Sequence, residues 1–513
     1  MDLSELQNYF HQEMSQNVEI INFPADLLIF QDKIASKQFD LIINNKIKPY
    51  EFYRDQKNSR HAISLQGIKN LVIDGKGAII QVRGMVIPFY LENCDNITLR
   101  NFTIQYETLT HTEGIIIRRN LTSFDVHLSK SIDVEGTVPI MAWIEYDTKT
   151  LCLGKNEAYP QIQGEILDRN TIRVLIPPKF QCKVPRKGKG IILRHIITHH
   201  SGIQLFNCKN ITIRNVEVNE AYWGALLAHR VENLTVDDFR VKPREGRIFS
   251  TNADACHVIS CSGLVKFENC YFEGHGDDAL NVHTLYYSIK EILNQYEMIV
   301  RLKIEQQDRI MDYPDEGDVV EFANLKTLKP YGSNELQSVK IHPEKKEFRI
   351  RFKEPIPKNV KKNDVMADRS KVARVIFREN HVFNNRARGI LIQSRDVLIE
   401  NNKFSNCTGT GIYITCSKYW WEAISSENVR IINNKIKDCG GGPGTNGASG
   451  ISITTEATQE LGTHKNILVS GNKIHSSTRY LPDMRFESIE GLTLKNNNYS
   501  RKIKIKKCRL IEN

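Results

Sequence analysis

The chain has 513 residues, 40% hydrophobic and 25% charged, with a formal net charge of +10, an ordinary balance for a globular protein. No apolar run approaches the roughly 20 residues that cross a bilayer, and the start, MDLSELQNYFHQEM, lacks the basic and apolar segments of a secretory signal. The expectation is therefore no membrane partner, and a cytoplasmic rather than a secreted or periplasmic location. Eleven cysteines without a CxxC pair point to neither a disulfide framework nor a zinc site.

In chain order, residues 1–62 are irregular and read as an N-terminal cap, because the open end of a solenoid exposes unpaired backbone. The first clear coil is ISLQGIKNLVIDGKGAII, Ile63 to Ile80, within a first helical part at 63–106. LENCDNITLRNFTI (Leu91 to Ile104) can be laid over LFNCKNITIRNVEV (Leu205 to Val218), and over VISCSGLVKFENCYF (Val258 to Phe272) with one extra residue. Further copies follow as VIFRENHVFNN, DVLIENNKFSNC, NVRIINNKIKDC, NILVSGNKIHSS and GLTLKNNNYS. Each is two short strands of alternating Val, Ile or Leu about a polar corner.

The corner residues give the period: 23 residues from Asn215 to Asp238, 31 from Asp238 to Asn269, 21 from Asn380 to Asn401 and 32 from Asn401 to Asn433. Strand-only repeats of this length predict an all-β, right-handed parallel β-helix in which equivalent side chains stack about 4.8 Å apart. Asparagines and small thiols then stack at corners and inside coils.

Two intervals are several coils too long, from Asn101 to Asn215 and from Asn269 to Asn380. They predict two inserted β-barrel-like domains, at 107–190 and 285–370, of alternating strands such as FDVHL, TIRVLI, MIVRLKI and EFRIRF. Their similar length suggests a shared task, such as walling a cleft or making a homodimer contact. The helix resumes with catalytic coils at 191–284 and ends with C-terminal coils at 371–513. The last basic cluster, KIKIKKCR (Lys502 to Arg509), reads as edge protection, so no nucleic acid is expected.

Within the catalytic coils, RIFSTNADACH (Arg247 to His257) precedes EGHGDDALNVH (Glu273 to His283). Asp254 lies 23 residues before Asp277 and 24 before Asp278, one coil by the measured period, so three carboxylates should meet on one face. Gly274 and Gly276 supply the permissive backbone that lets two adjacent side chains reach it. Such a trio suits glycosidic cleavage, which needs one carboxylic acid for the leaving oxygen and a carboxylate base for water. A calcium site is an alternative use of the same residues, although the alternating D-x-D ligand spacing of an EF-hand loop is absent.

An Asp one coil before an Asp-Asp pair resembles the polygalacturonases of glycoside hydrolase family 28. RIFSTNADACH, GHGDDALNVH and the two β-rich insertions are more similar to glycoside hydrolase family 110, exo-acting α-1,3-galactosidases. That resemblance implies Asp277 as proton donor, Asp254 and Asp278 as water-activating bases, inversion at the anomeric carbon, and no metal or organic cofactor. The Arg-x-Lys element of polygalacturonases is missing, and RARGILIQS (Arg386 to Ser394) stands in the later coil, which argues for a neutral sugar over a uronate.

The expected partner is a galactose-terminated oligosaccharide or glycan. Arg247, His257, Asn281, His283 and Arg388 are candidate ligands of its hydroxyls, and Trp420, Trp421 or Trp223 could stack on its apolar face. Rival readings are another β-helix glycosidase, a noncatalytic carbohydrate-binding β-helix, and a polysaccharide lyase, which would want a basic uronate cluster.

Overall fold

The computed structural model describes residues 3–16, 18–32, 43–44, 60–107, 109–197, 200–303 and 312–511. Of the expected cap, residues 33–42 and 45–59 lie outside the described residues. What is described begins with helix Leu3–Ser15, which buries Leu3, Leu6 and Phe10 on one face at helical spacing. Strands Ile20–Asn22 and Leu27–Gln31 follow and pair in parallel with Lys69–Arg83.

From there the chain winds as a parallel β-helix. One wall stacks strands Arg60–Gln66, Val86–Glu92, Ile203–Phe206, Leu226–His229, Cys256–Ile259, the start of Leu280–Asn294, Ile390–Ile392, Ile412–Ile414, Ile451–Ile453 and Met484–Glu487. The opposite walls stack as one continuous parallel sheet. Alternate residues point inward, so Ile97, Ile211, Leu234 and Val265 lie fully or almost fully buried above one another. All the cysteines are free, and eight of the eleven are buried.

Corners explain the asparagines. Asn101, Asn215, Asp238, Asn269, Asn401 and Asn433 all have φ between +48° and +60°, the left-handed region that Asn and Asp tolerate best among residues with a side chain. The period reading errs at one step. The register Glu268 to Arg378 puts Glu379, with φ of +58°, above Asn269, so Asn380 is not that corner. Asn380 instead begins a second, inward ladder. Its backbone N–H donates to Asn402 Oδ1 at 2.9 Å, Asn402 to Asn434 at 3.0 Å, Asn434 to Asn472 at 2.9 Å and Asn472 to Asn497 at 3.0 Å.

The insertions differ in build. Between Thr103 and Ile203 the chain forms an antiparallel ladder in the spatial order Leu153–Ala158, Ala142–Tyr146, Gly190–Arg194, His111–Arg119, Ser123–Leu128, Thr171–Leu175, Ile162–Asp168 and Thr137–Ile140. The later insertion is a closed six-strand ring: Leu280–Asn294, Glu297–Arg301, Glu347–Phe352, Pro330–His342, Val319–Ala323 and Val365–Asp368, which returns to the first. Its core holds Ile289, Met298, Val300, Phe322, Phe348 and Phe352. Strand Leu280–Asn294 starts in the helix wall and ends in the ring, so the ring is seated by the same strand that carries Asn281 and His283.

Candidate active site

The stacking of coils brings Asp254 against Asp278. The backbone N–H of Asp278 donates to Asp254 Oδ1 at 3.0 Å, and Ala255 N–H donates to the Asp278 carbonyl at 2.8 Å. One oxygen from each of Asp254, Asp277 and Asp278 lies within 4.8 Å of the others, as the one-coil spacing predicts. Their exposures differ: 32% for the Asp277 side chain, 11% for Asp254 and 0% for Asp278. Only Asp277 reaches toward solvent.

Gly274 has φ of +68°, the conformation expected of it. Gly276 serves differently, because a Cβ there would lie 2.5 Å from the Asn252 carbonyl oxygen and 2.7 Å from Phe249 Cζ. Close approach rather than backbone freedom requires that glycine. His275 is buried, with Nδ1 2.7 Å from the Asp277 carbonyl oxygen, and burial pushes its pKa down to about 4. A neutral ring then fixes the bend from below.

Two arginines meet the trio. Arg388 grips Asp278 with Nε at 2.8 Å from Oδ1 and a terminal nitrogen at 2.8 Å from Oδ2, and its backbone N–H adds a bond of 3.0 Å. Arg388 was expected to bind sugar hydroxyls. Its fork is committed to a carboxylate instead, the geometry guanidinium favours. Arg386 donates to Asp277 Oδ2 at 2.7 Å and turns its other edge to Glu157, at 2.5 and 3.1 Å. Glu157 belongs to the first insertion, as do Tyr159 and Arg194. Arg194 is buried, bonds Tyr159 Oη at 3.1 Å and sits over that ring and Phe249. With two guanidiniums already on the carboxylates, the arrangement is a set of ion pairs and not a cation cage.

These charges sort the protons. Burial pushes Asp278 up to about 7, with Asp277 and Asp254 adding and Arg388 opposing. Asp277 is held below the usual carboxylate range, since Arg386, Arg388 and Arg194 outweigh burial. Interacting carboxyls titrate as a group, so the raised proton affinity belongs to the trio as a whole and not to Asp278 alone, whose two oxygens both accept from Arg388.

The remaining predicted residues divide. His257 stacks on Trp223 with ring centroids 5.4 Å apart, and its Nδ1 lies 2.8 Å from Asp254 Oδ2. His283 approaches His257 with the two Nε2 atoms 2.8 Å apart. Asn281 pairs with His257 across the ladder, and its buried Oδ1 has no protein partner. Asn385 Oδ1 and Gln393 Oε1 are buried and unpartnered in the same way, although such atoms are normally satisfied, and Asp277 Oδ1 has only the ion pair with Arg388 at 3.6 Å.

Arg247 faces Glu220, 3.8 Å away, beside Arg244. Trp421 is a correction: it is partly buried against the cluster of Tyr286, Ala323, Leu328 and Ile424 under the ring, with Lys303 Nζ 5.7 Å from its ring centre. Trp420 is 51% exposed and free to meet a sugar face.

Sequence reasoning missed Arg386, Glu157, Arg194 and Glu422. The first had a signal, two arginines at i and i+2 in RARG on the coil after the Asp-Asp pair. The others reach the site through tertiary docking, for which a lone charge in an alternating strand gives no sign.

Comparison with known proteins follows the same division. The GLAA-B beta-barrel domain II matches residues 291–366, and the right handed beta helix region matches residues 365–513. Alpha-1,3-galactosidase B of Phocaeicola vulgatus is 30% identical over 423 residues, covering 75% of this chain and 69% of its own. The protein of the same name from Bacteroides thetaiotaomicron is 26% identical, covering 86% and 75%. Alpha-1,3-galactosidase A of Shewanella woodyi is 26% identical, covering 81% and 70%. Among solved structures, the A-module of an Azotobacter vinelandii mannuronan C-5 epimerase is 9% identical with a TM-score of 0.40, covering 100% of this chain and 95% of that one.

Proposed function

Because the chain belongs to the α-1,3-galactosidase family, glycoside hydrolase family 110, we propose that it hydrolyses terminal α-1,3-linked galactose from oligosaccharides or glycans with inversion. The observation that carries this reading is the carboxylate trio in which Asp277 alone faces outward, backed by two buried carboxylates from the same and the preceding coil.

Asp277 gives a proton to the glycosidic oxygen as the C1–O bond breaks, and the aglycone leaves as an alcohol. A water attacks C1 from the opposite side of the ring, and its proton passes to the pair formed by Asp254 and Asp278. The proton needed by Asp277 is the one the trio retains, shared among oxygens that lie within 4.8 Å of one another. Asn281 Oδ1, Gln393 Oε1 and Asn385 Oδ1, unpartnered and buried, are acceptors for galactose hydroxyls. Glu157 and Tyr159 fold over Arg386, a wall against which a chain-end sugar would abut.

A second reading has support in one distance. Nearest oxygens within 4.8 Å are tighter than the roughly 6.5–9.5 Å typical of inverting pairs and nearer the roughly 5–5.5 Å of retaining ones. Proton NMR of Galα1-3Gal at early times separates them. Initial β-galactose supports inversion, initial α-galactose means retention, and no release of galactose sinks the hydrolase reading.

A further inference from the structure

Behind Asp254 runs a chain of groups that the proposed reaction does not use. His257 Nδ1 lies 2.8 Å from Asp254 Oδ2, His257 Nε2 lies 2.8 Å from His283 Nε2, and His283 Nδ1 lies 2.8 Å from the Thr284 carbonyl oxygen. Glu422 Oε1 is 3.7 Å from His283 Nε2, and Gln393 Nε2 fixes the other Glu422 oxygen at 2.6 Å.

Counting hydrogens along this chain gives a definite result. A carbonyl oxygen only accepts, so His283 Nδ1 carries a hydrogen. The contact between the two Nε2 atoms needs one hydrogen, and a ring nitrogen 2.8 Å from the Asp254 carboxylate needs one as well, because two lone pairs repel at that distance even where the approach is too bent for a hydrogen bond. Three contacts need three hydrogens. Two neutral imidazoles bring two, so the chain holds one extra proton.

The surroundings say where it sits. His257 faces Asp254, Asp278 and Glu422, and lies flat against the Trp223 ring at 28° between planes. His283 faces Glu422, Asp254 and His257. Burial opposes charge on both rings, but the carboxylates outweigh it on His257, whose proton affinity is raised, whereas burial and the neighbouring His257 leave His283 lowered. His257 is the imidazolium and His283 its neutral acceptor.

We propose that His257, His283 and Glu422 form a positioning relay that stores one proton beside Asp254 and so orients its carboxylate, while Asp277 and Asp278 share the proton the reaction donates. The role given to Asp254 rests on the hydrolase reading above. The stored proton does not.

Strand geometry makes Glu422 a specific member. Thr284 and Leu285 pair antiparallel with Ala423 and Glu422, so the strand leading into the ring also delivers Glu422 to the imidazoles. Its carboxylate acts on Asp254 only through two rings, which makes it a positioning residue.

The test is ring-nitrogen NMR on the full chain labelled with 15N-histidine, compared with Glu422→Gln. In the unsubstituted protein His257 is expected to keep both ring hydrogens to a higher pH than a free imidazole does. In Glu422→Gln the second hydrogen should be lost about one pH unit lower. With Galα1-3Gal, kcat should fall about ten-fold with KM within about two-fold, and the limb of the kcat profile set by loss of the stored proton should move to lower pH. A His257 ring that turns neutral no higher in pH than a free imidazole, or a kcat profile unmoved in Glu422→Gln, overturns the relay. If the unsubstituted protein releases no galactose, the hydrolase reading fails, and the count of ring hydrogens alone then decides whether the proton store exists.

Discussion

Two stretches of the same solenoid handle buried polar groups in opposite ways. In the C-terminal coils, Asn402, Asn434 and Asn472 are fully buried and bonded to one another, to the next asparagine, Asn497, and to backbone. In the central coils, Asp277 and Asp278 are bonded to Arg386 and Arg388 from the next turn, while the first insertion supplies Glu157, which holds Arg386, and the charge of Arg194 acting on Asp277. The ladder closes on itself and leaves no valence over. The trio is neutralised from outside, and buried oxygens around it stay unpartnered. A repeat that satisfies itself gives stability, whereas one that depends on imported charge leaves groups able to bind and to exchange protons.

The contrast is sharpest in a pair of amide substitutions. Asp277→Asn removes the outward acid but leaves Arg386 paired with Glu157, so folding should persist while kcat for Galα1-3Gal falls by about 10³-fold or more. Turnover within about ten-fold of the unsubstituted protein would remove Asp277 from the chemistry. The counterpart is Asn434→Ala. It strips the acceptor from the Asn402 N–H and side-chain amide, and the donor from the Ile399 carbonyl. Unsatisfied buried groups cost about 1–3 kcal/mol each, so a loss of about 3 kcal/mol in denaturant unfolding is expected, with KM and kcat near the parent values. Loss of activity without loss of stability would mean that the ladder reaches into the site.

What the sequence made legible follows the same line. Repetition exposed the coils, the left-handed asparagine corners and the one-coil step from Asp254 to Asp277, because a stacked side chain must recur at the coil period. The slip at Asn380 came from two ladders, outer and inner, that place asparagine one residue apart at Asn401 and Asn402, so that one column was mistaken for the other. Glu157 and Arg194 were not legible, since docking of the first insertion repeats nothing. It is fixed by single contacts such as Asn384 with Leu151 and Leu153, and Lys155 with Thr478. Trp421 was misplaced for a related reason: sequence alone does not fix which side of a coil a residue faces.

The smallest effect expected is in pH dependence, and it belongs to the central coils alone. Asp278 binds its proton more tightly folded than unfolded, since burial lifts it to about 7 from the usual value of about 4. A carboxyl shifted upward contributes stability below its unfolded value and loses it as pH rises to the folded one. The same proton feeds Asp277, so kcat/KM for Galα1-3Gal should fall about ten-fold per unit above pH of about 7, while urea unfolding should show this group's contribution declining between pH of about 4 and 7. The Asn ladder carries no titrating group, so Asn434→Ala should leave the activity profile where it is. A flat profile up to pH of about 9 would show that the trio does not hold the reacting proton, and the acid would then have to be sought among groups that titrate higher.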